Sequence, residues 1–183
     1  AGSAAPSLVP PPQPGGWARA EVGEWLLARR GRVLAGFDFS FAPPFVGRGG
    51  YLPGDDTPET GPEFWAWLDS RCTDADLGAA CFMERAARRH FWFGAADGTK
   101  AAFMHFRRCE AAFNAGGGGK AATVFDCVGA AQVGKASFAG MRLLHRLREG
   151  YAIWPFDAAG ERTVVEIYAR AFLRLAGGRG TKV

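Results

Sequence analysis

Two short apolar runs, "LAGFDFSF" and "VVEIY", each carry a single carboxylate, Asp38 and Glu166. Burying an unpaired carboxylate costs several kcal/mol, so an acid in such a run sits at a strand edge, meets a cation, or holds a metal. Two of them on neighbouring strands would make a site for a hard divalent cation. Bound cations of that kind activate water and stabilise a leaving oxygen in phosphodiester hydrolysis. The alternative is that each acid alternates to a solvated face or pairs with an arginine. Asp126 in "VFDCV" is a third strand acid, and Asp157 after "WPF" belongs to a turn.

The segments around these runs alternate between helical and β-type patterns. "WARAEVGEWLLARRG" spaces Val22, Trp25, Leu26 and Arg29 on helical turns, with Gly31 at the stop. "RVLAGFDFSF" follows as a strand, ended by the prolines of "APPF", and residues 46 to 61 read as a long Gly/Pro/Asp loop. Pro62 stands at a first helical position, and Thr73 could cap a further helix over "DADLGAACFMERAARR". "KASFAGMRLLHRLREG" puts Phe138, Met141, Leu144 and Leu147 on one helical face, flanked by Arg142, His145, Arg146 and Arg148. "YAIWPFD" and "TVVEIYA" are β-type runs, and "RAFLRLAGG" is a closing helix. This alternation predicts one α/β domain over residues 17–183, preceded by a flexible Pro/Gly-rich leader over 1–16.

"TVFDCVGAAQVGKASFAG" looks at first like a nucleotide-binding loop. Gly129, Gly134 and Lys135 match Gly-x-x-x-x-Gly-Lys between a β-type run and a helix. The next position should carry the hydroxyl that ligates magnesium, and it is Ala136; Ser137 comes one residue late, about 100° around the helix. What remains is a strand-to-helix turn, in which Gly134 and Lys135 could still contact an anion at a helix N-terminus. In "FMHFRRCEAAF", Arg107 and Arg108 could contact a nucleic-acid backbone. The same segment could be amphipathic, pointing Phe103, Phe106 and Phe113 inward. His90, His105 and His145 read as exposed or hydrogen-bonded side chains.

Composition narrows the classes. A net charge of +4 suits an anionic ligand but does not by itself indicate nucleic acid. Fifteen Phe and six Trp predict a core dominated by large rings. No apolar run reaches the ~20 residues that span a bilayer, and the N-terminus lacks the basic start and apolar stretch of a signal peptide. Cys72, Cys81, Cys109 and Cys127 form no Cys-x-x-Cys, so their spacing predicts reduced, buried thiols in a cytoplasmic protein rather than a structural zinc site.

Taken in order, "RVLAGFDFSFAPPF", "FRRCE", "VFDCVGAAQVGKASFAGMRLLHRL", "WPFD" and "VVEIYARAF" resemble a bacterial group of RNase H-like nucleases of unknown function, over roughly residues 17 to 182. The resemblance implies an RNase H-like mixed β-sheet flanked by helices, with a chain trimmed at both ends. It implies Asp38 and Glu166 as catalytic acids and ligands of Mg²⁺ or Mn²⁺, with nucleic acid as substrate. A non-catalytic binding domain on the same scaffold, and a nucleotide-binding protein using residues 129–137, are the competing expectations.

Overall fold

The computed structural model describes residues 5–117, 121–128 and 133–175. Three short strands form the sheet: β1 (Val33–Phe37), β2 (Ala152–Trp154) and β3 (Arg162–Glu166), in the order β1-β3-β2. Both pairings are parallel, with Val33 opposite Arg162, Phe37 opposite Glu166 and Trp154 opposite Val165. The α/β expectation therefore holds. The expected mixed sheet does not appear among the described residues, where every paired strand is parallel. All three carboxyl ends consequently lie along one edge, the edge where open α/β sheets place their ligands.

Five α-helices accompany the sheet: α1 (Arg19–Leu27), α2 (Gly61–Asp69), α3 (Arg108–Ala115), α4 (Val133–Leu147) and α5 (Ala169–Leu175). Local chemistry starts several of them. Thr60 accepts the Glu63 N–H at the head of α2, where Pro62 occupies the first turn. Glu21 accepts the Ala18 N–H before α1, and Asp76, distant in sequence, accepts the Ala20 N–H. Among the described residues no helix is long and apolar enough to cross a membrane. Residues 5–16 form no helix or strand and are exposed.

Helix α4 is the centre of the packing. Phe138, Met141, Leu144 and Leu147 are fully buried, as their spacing predicts. They meet Phe64, Trp65, Leu68, Phe91 and Phe125 in a core of large rings, with Phe138 edge-on to Phe91 at 5.0 Å between centroids. Two glycines permit close approach. A Cβ on Gly140 would run into the Phe39 ring, and one on Gly134 would lie 2.5 Å from the Val124 carbonyl and 2.8 Å from Cys127 Sγ. Arg142 corrects the expectation of a solvated flank. It is buried, its Nε 2.7 Å from Asp69 Oδ1 and its Nη1 donating to the carbonyls of Asp74 and Gly78.

Two predicted elements differ, each because tertiary bonds replace local ones. "VFDCV" joins no sheet; it turns at Thr123–Asp126 and makes one bridge, Trp92 to Asp126. The helix expected after Thr73 is a loop with Asp76 and Leu77 at φ 49° and 53°, followed by a π-helical turn at Phe82–Ala86. Here Arg142 takes the carbonyls of Asp74 and Gly78, and the Asp74 carboxylate takes the Cys81 N–H, groups that a helix would have used. The thiols also differ in part: Cys72 and Cys127 are buried, Cys81 is half-buried and Cys109 is exposed.

The close approach at α4 predicts that Gly140→Ala lowers the unfolding free energy by about 1–3 kcal/mol in urea titration, because the Phe39 ring must move. Gly160→Ala, where the added methyl meets open space, should change stability by less than about 0.5 kcal/mol.

Candidate functional site

The register of β1 on β3 sets the site. Phe37 is opposite Glu166, and Asp38 follows directly after β1 at the carboxyl edge of the sheet, near enough for the Glu166 charge to act on it. The ladder continues one bond further, from the Ile167 N–H to the Phe37 carbonyl at 2.9 Å. The chain then folds over the edge. The Phe41 N–H donates to Glu166 Oε2 at 2.9 Å, the Ser40 N–H donates to Ser137 Oγ of α4 at 3.1 Å, and Trp65 Nε1 donates to the Phe41 carbonyl at 2.7 Å.

Arg107, immediately before α3, closes the arrangement. Its Nη1 and Nη2 lie 2.7 and 2.6 Å from Glu166 Oε2 and Oε1, a two-pronged pair of the strong kind. Its Nε donates to Glu110 Oε1, and its backbone N–H donates to Glu110 Oε2, both at 2.8 Å. Ser40 Oγ donates to Glu110 Oε1 at 3.4 Å. Glu110 is buried, and Arg107 and Glu166 keep 18% and 27% of their side-chain surface exposed. A continuous chain of bonds thus runs from Ser40 through Glu110, Arg107 and Glu166 to the Phe41 amide.

Asp38 stands outside this closed network. It is exposed, and its carboxylate has no hydrogen bond or ion pair among the described residues. Partial burial, and then the Glu166 charge, raise its pKa above the ordinary carboxylate value. Burial works against the Arg107 charge, but Glu166 and Glu110 outweigh it and raise the pKa of the guanidinium above the usual arginine value. Three carboxylates against one guanidinium leave this end of the sheet acidic when all are ionised. The arrangement suits an added cation at Asp38.

The donor set fits one kind of metal site and not another. Among the described residues, the one group of three His, Cys or acid side chains with ligand atoms within 4.8 Å of one another is Cys72, Asp74 and Cys81, so Asp38 and Glu166 are not part of a closed cage. Mg²⁺ does not require one. It keeps several waters and is commonly held through one or two carboxylates and the phosphates of its substrate. Asp38 offers such a carboxylate, at the same sheet edge as Glu166.

The remaining expected site residues fall elsewhere or are already engaged. Lys135 and Ser137 are two positions apart, about 200° around α4. Ser137 reaches Ser40, whereas Lys135 pairs with Glu84 at 3.0 Å. The Gly134 N–H donates to the Asp126 carbonyl at 3.3 Å, and its missing side chain is required for packing. The Gly134 N–H is thus engaged, whereas Lys135 Nζ, bonded once to Glu84, keeps further donors. Gly129 of the loop-like motif lies outside the described residues. Arg107 uses Nε, Nη1 and Nη2 on Glu110 and Glu166 and so acts there as a positioning group. Arg108 is exposed at the first position of α3. Asp126 pairs with Lys100 at 2.6 Å, and His90 Nε2 lies 2.7 Å from Asp55 Oδ2. Phe106 remains partly exposed, and Phe113 packs edge-on against Tyr168 at 5.0 Å between centroids.

Glu110 is the member that sequence reasoning missed. Its signal is its position three residues beyond Arg107, where an acid in the first helical turn reaches back to the preceding backbone N–H. Comparison of the chain with protein-family models, curated proteins and solved structures found no match in any of the three.

Arg107→Met leaves Glu110 buried without its cation and should cost about 3 kcal/mol in denaturant unfolding. Adding Glu166→Gln to that variant should cost less than the two single effects combined, because the pair is already broken. Asp38 predicts the opposite sign. Its pKa is raised on folding, so its ionisation destabilises the fold at pH values above its folded pKa. Below the ordinary carboxylate value, about pH 4, the acid is protonated in both states and the penalty is absent. Asp38→Asn should therefore raise the melting temperature at neutral pH, and the gain should fade as the pH drops toward 4 in a calorimetric series.

Proposed function

We propose that this protein is a divalent-cation-dependent phosphodiesterase of the RNase H-like type acting on nucleic acid, with Asp38 as the direct cation ligand and Glu166 beside it. The observation that supports this most is that Asp38 and Glu166, from two separate apolar runs, fall at the carboxyl ends of adjacent parallel strands, where the Glu166 charge acts on Asp38. Partial burial and the Glu166 charge raise the Asp38 pKa, a perturbation of the kind functional carboxylates show. Mg²⁺ or Mn²⁺ would polarise a phosphoryl oxygen and lower the pKa of a bound water.

The protein's own groups have distinct tasks in this reading. Asp38 holds the cation. Glu166 adds negative charge beside it, and the two-pronged bond from Arg107 fixes its orientation. Glu110 and Ser40 hold Arg107 and the loop after β1 in place. Arg108, exposed at the head of α3, supplies a cation for the phosphate backbone.

A second reading, a nucleic-acid-binding module without catalysis, draws on the saturation of Glu166. Both of its oxygens are already bonded, which leaves a single unpaired acid. Incubation with labelled single- and double-stranded DNA and RNA in Mg²⁺ or Mn²⁺ separates the two. The nuclease reading expects cleavage that EDTA removes and that falls at least about 100-fold in Asp38→Asn with the fold intact by circular dichroism. Full activity in Asp38→Asn overturns the role of Asp38. Binding without cleavage, weakened by Arg108→Ala, decides for the second reading.

A further inference from the structure

The loop after α2 builds a different site, unrelated to the acids at the sheet edge. Cys72, Asp74 and Cys81 bring two sulfurs and a carboxylate oxygen within 4.8 Å of one another. Their spacing, Cys-x-Asp-x₆-Cys, matches no common zinc motif, and the fold alone unites them. Asp74 is aimed by its own bonds: both oxygens accept the Cys81 N–H, at 3.1 and 3.2 Å. The Thr73 hydroxyl lies 3.9 Å from Cys81 Sγ, as a donor to that sulfur.

The surrounding scaffold is rigid for a loop. Buried Arg142 ties the carbonyls of Asp74 and Gly78 to Asp69, which fixes both ends of the turn. Asp76 and Leu77 take the left-handed conformation that bends the chain back, and Asp76 is anchored to Arg19 and the Ala20 N–H of α1. Ligands held by outer bonds of this kind bind metal more tightly than free ones. Cys81 and Asp74 are half-buried, which leaves an entry path, while Cys72 closes the inner side.

From this cluster we propose a second metal site, in which Cys72, Asp74 and Cys81 bind one thiophilic divalent cation of the Zn²⁺ class, with water as the fourth ligand. Two thiolates select zinc over magnesium, and a carboxylate is an accepted third ligand of zinc. Tetrahedral Zn–S bonds of about 2.3 Å put two sulfurs about 3.8 Å apart, so the side chains need to close by no more than about 1 Å. Two thiolates and Asp74 carry one more negative charge than the ion neutralises, and the Arg142–Asp69 ion pair lies alongside.

The test uses the full chain, reduced, stripped with chelator and dialysed against limiting Zn²⁺. Elemental analysis should return one zinc per chain, and Co²⁺ in its place should show a thiolate-to-metal absorption band. Cys81→Ser and Asp74→Asn should each weaken zinc at least about 10-fold in competition with a chromogenic chelator. Cys109→Ser, at the exposed thiol outside the cluster, should leave it unchanged, as should Asp38→Asn, which separates this site from the sheet-edge acids. Because Cys72 is buried and its serine variant could unfold, protection is read on the unaltered chain: zinc should slow maleimide labelling of Cys81 but not of Cys109. No zinc retained at micromolar concentration, zinc retained equally by Cys81→Ser, or labelling of Cys81 that zinc does not slow would overturn the proposal.

Discussion

Helix α4 must be buried on almost every side, and much of the remaining structure follows from that requirement. Its apolar face is matched by large rings, but two polar residues, Ser137 and Arg142, are carried inside with it. A buried polar group without a partner costs more than a made bond returns, so each draws a loop onto the helix. Ser137 accepts the Ser40 N–H and fixes the chain just after β1. Arg142 gathers Asp69, Asp74 and Gly78 and fixes the chain just after α2. The acids at the sheet edge and the thiols of the neighbouring loop thus owe their placement to the same helix.

The sheet edge shows how charge is distributed once placement is settled. Glu110 and Glu166 share one guanidinium, whose fork geometry suits two carboxylates approached from different directions. The neutralisation is incomplete. Asp38 has no partner of its own, and partial burial and then the field of Glu166 shift its proton affinity upward. A structural acid would be expected to have the reverse shift, as Asp157 has beside Arg148. The contrast between paired and unpaired carboxylates is therefore the physical basis for placing a cation at Asp38.

Much of this was legible in particular residues. The spacing of Phe138, Met141, Leu144 and Leu147 marked the buried face of α4, and single acids in "GFDF" and "VVEIY" marked the strand ends that meet. Ala136 removed the magnesium ligand from the loop-like motif, and the structure gives Gly134 a packing role in its place. Other features were not legible because their cause lies far away in the chain. The first part of the helical pattern over residues 74–89 lost to Arg142, which claimed the carbonyls of Asp74 and Gly78, and the β-type pattern of "VFDCV" lost to packing beneath α4.

The sequence alone determined which segments alternate between helix and strand and where the lone acids fall, because periodicity and the cost of burying charge are local properties. Only the tertiary structure decided that all three strands run parallel, that Arg107 and Glu110 close around Glu166 while Asp38 stays unpaired, and that Cys72, Asp74 and Cys81 face one another. Those outcomes depend on partners far apart in the chain, 125 positions between Phe41 and Glu166. No window of sequence encodes which buried donor will reach which acceptor until the core has packed.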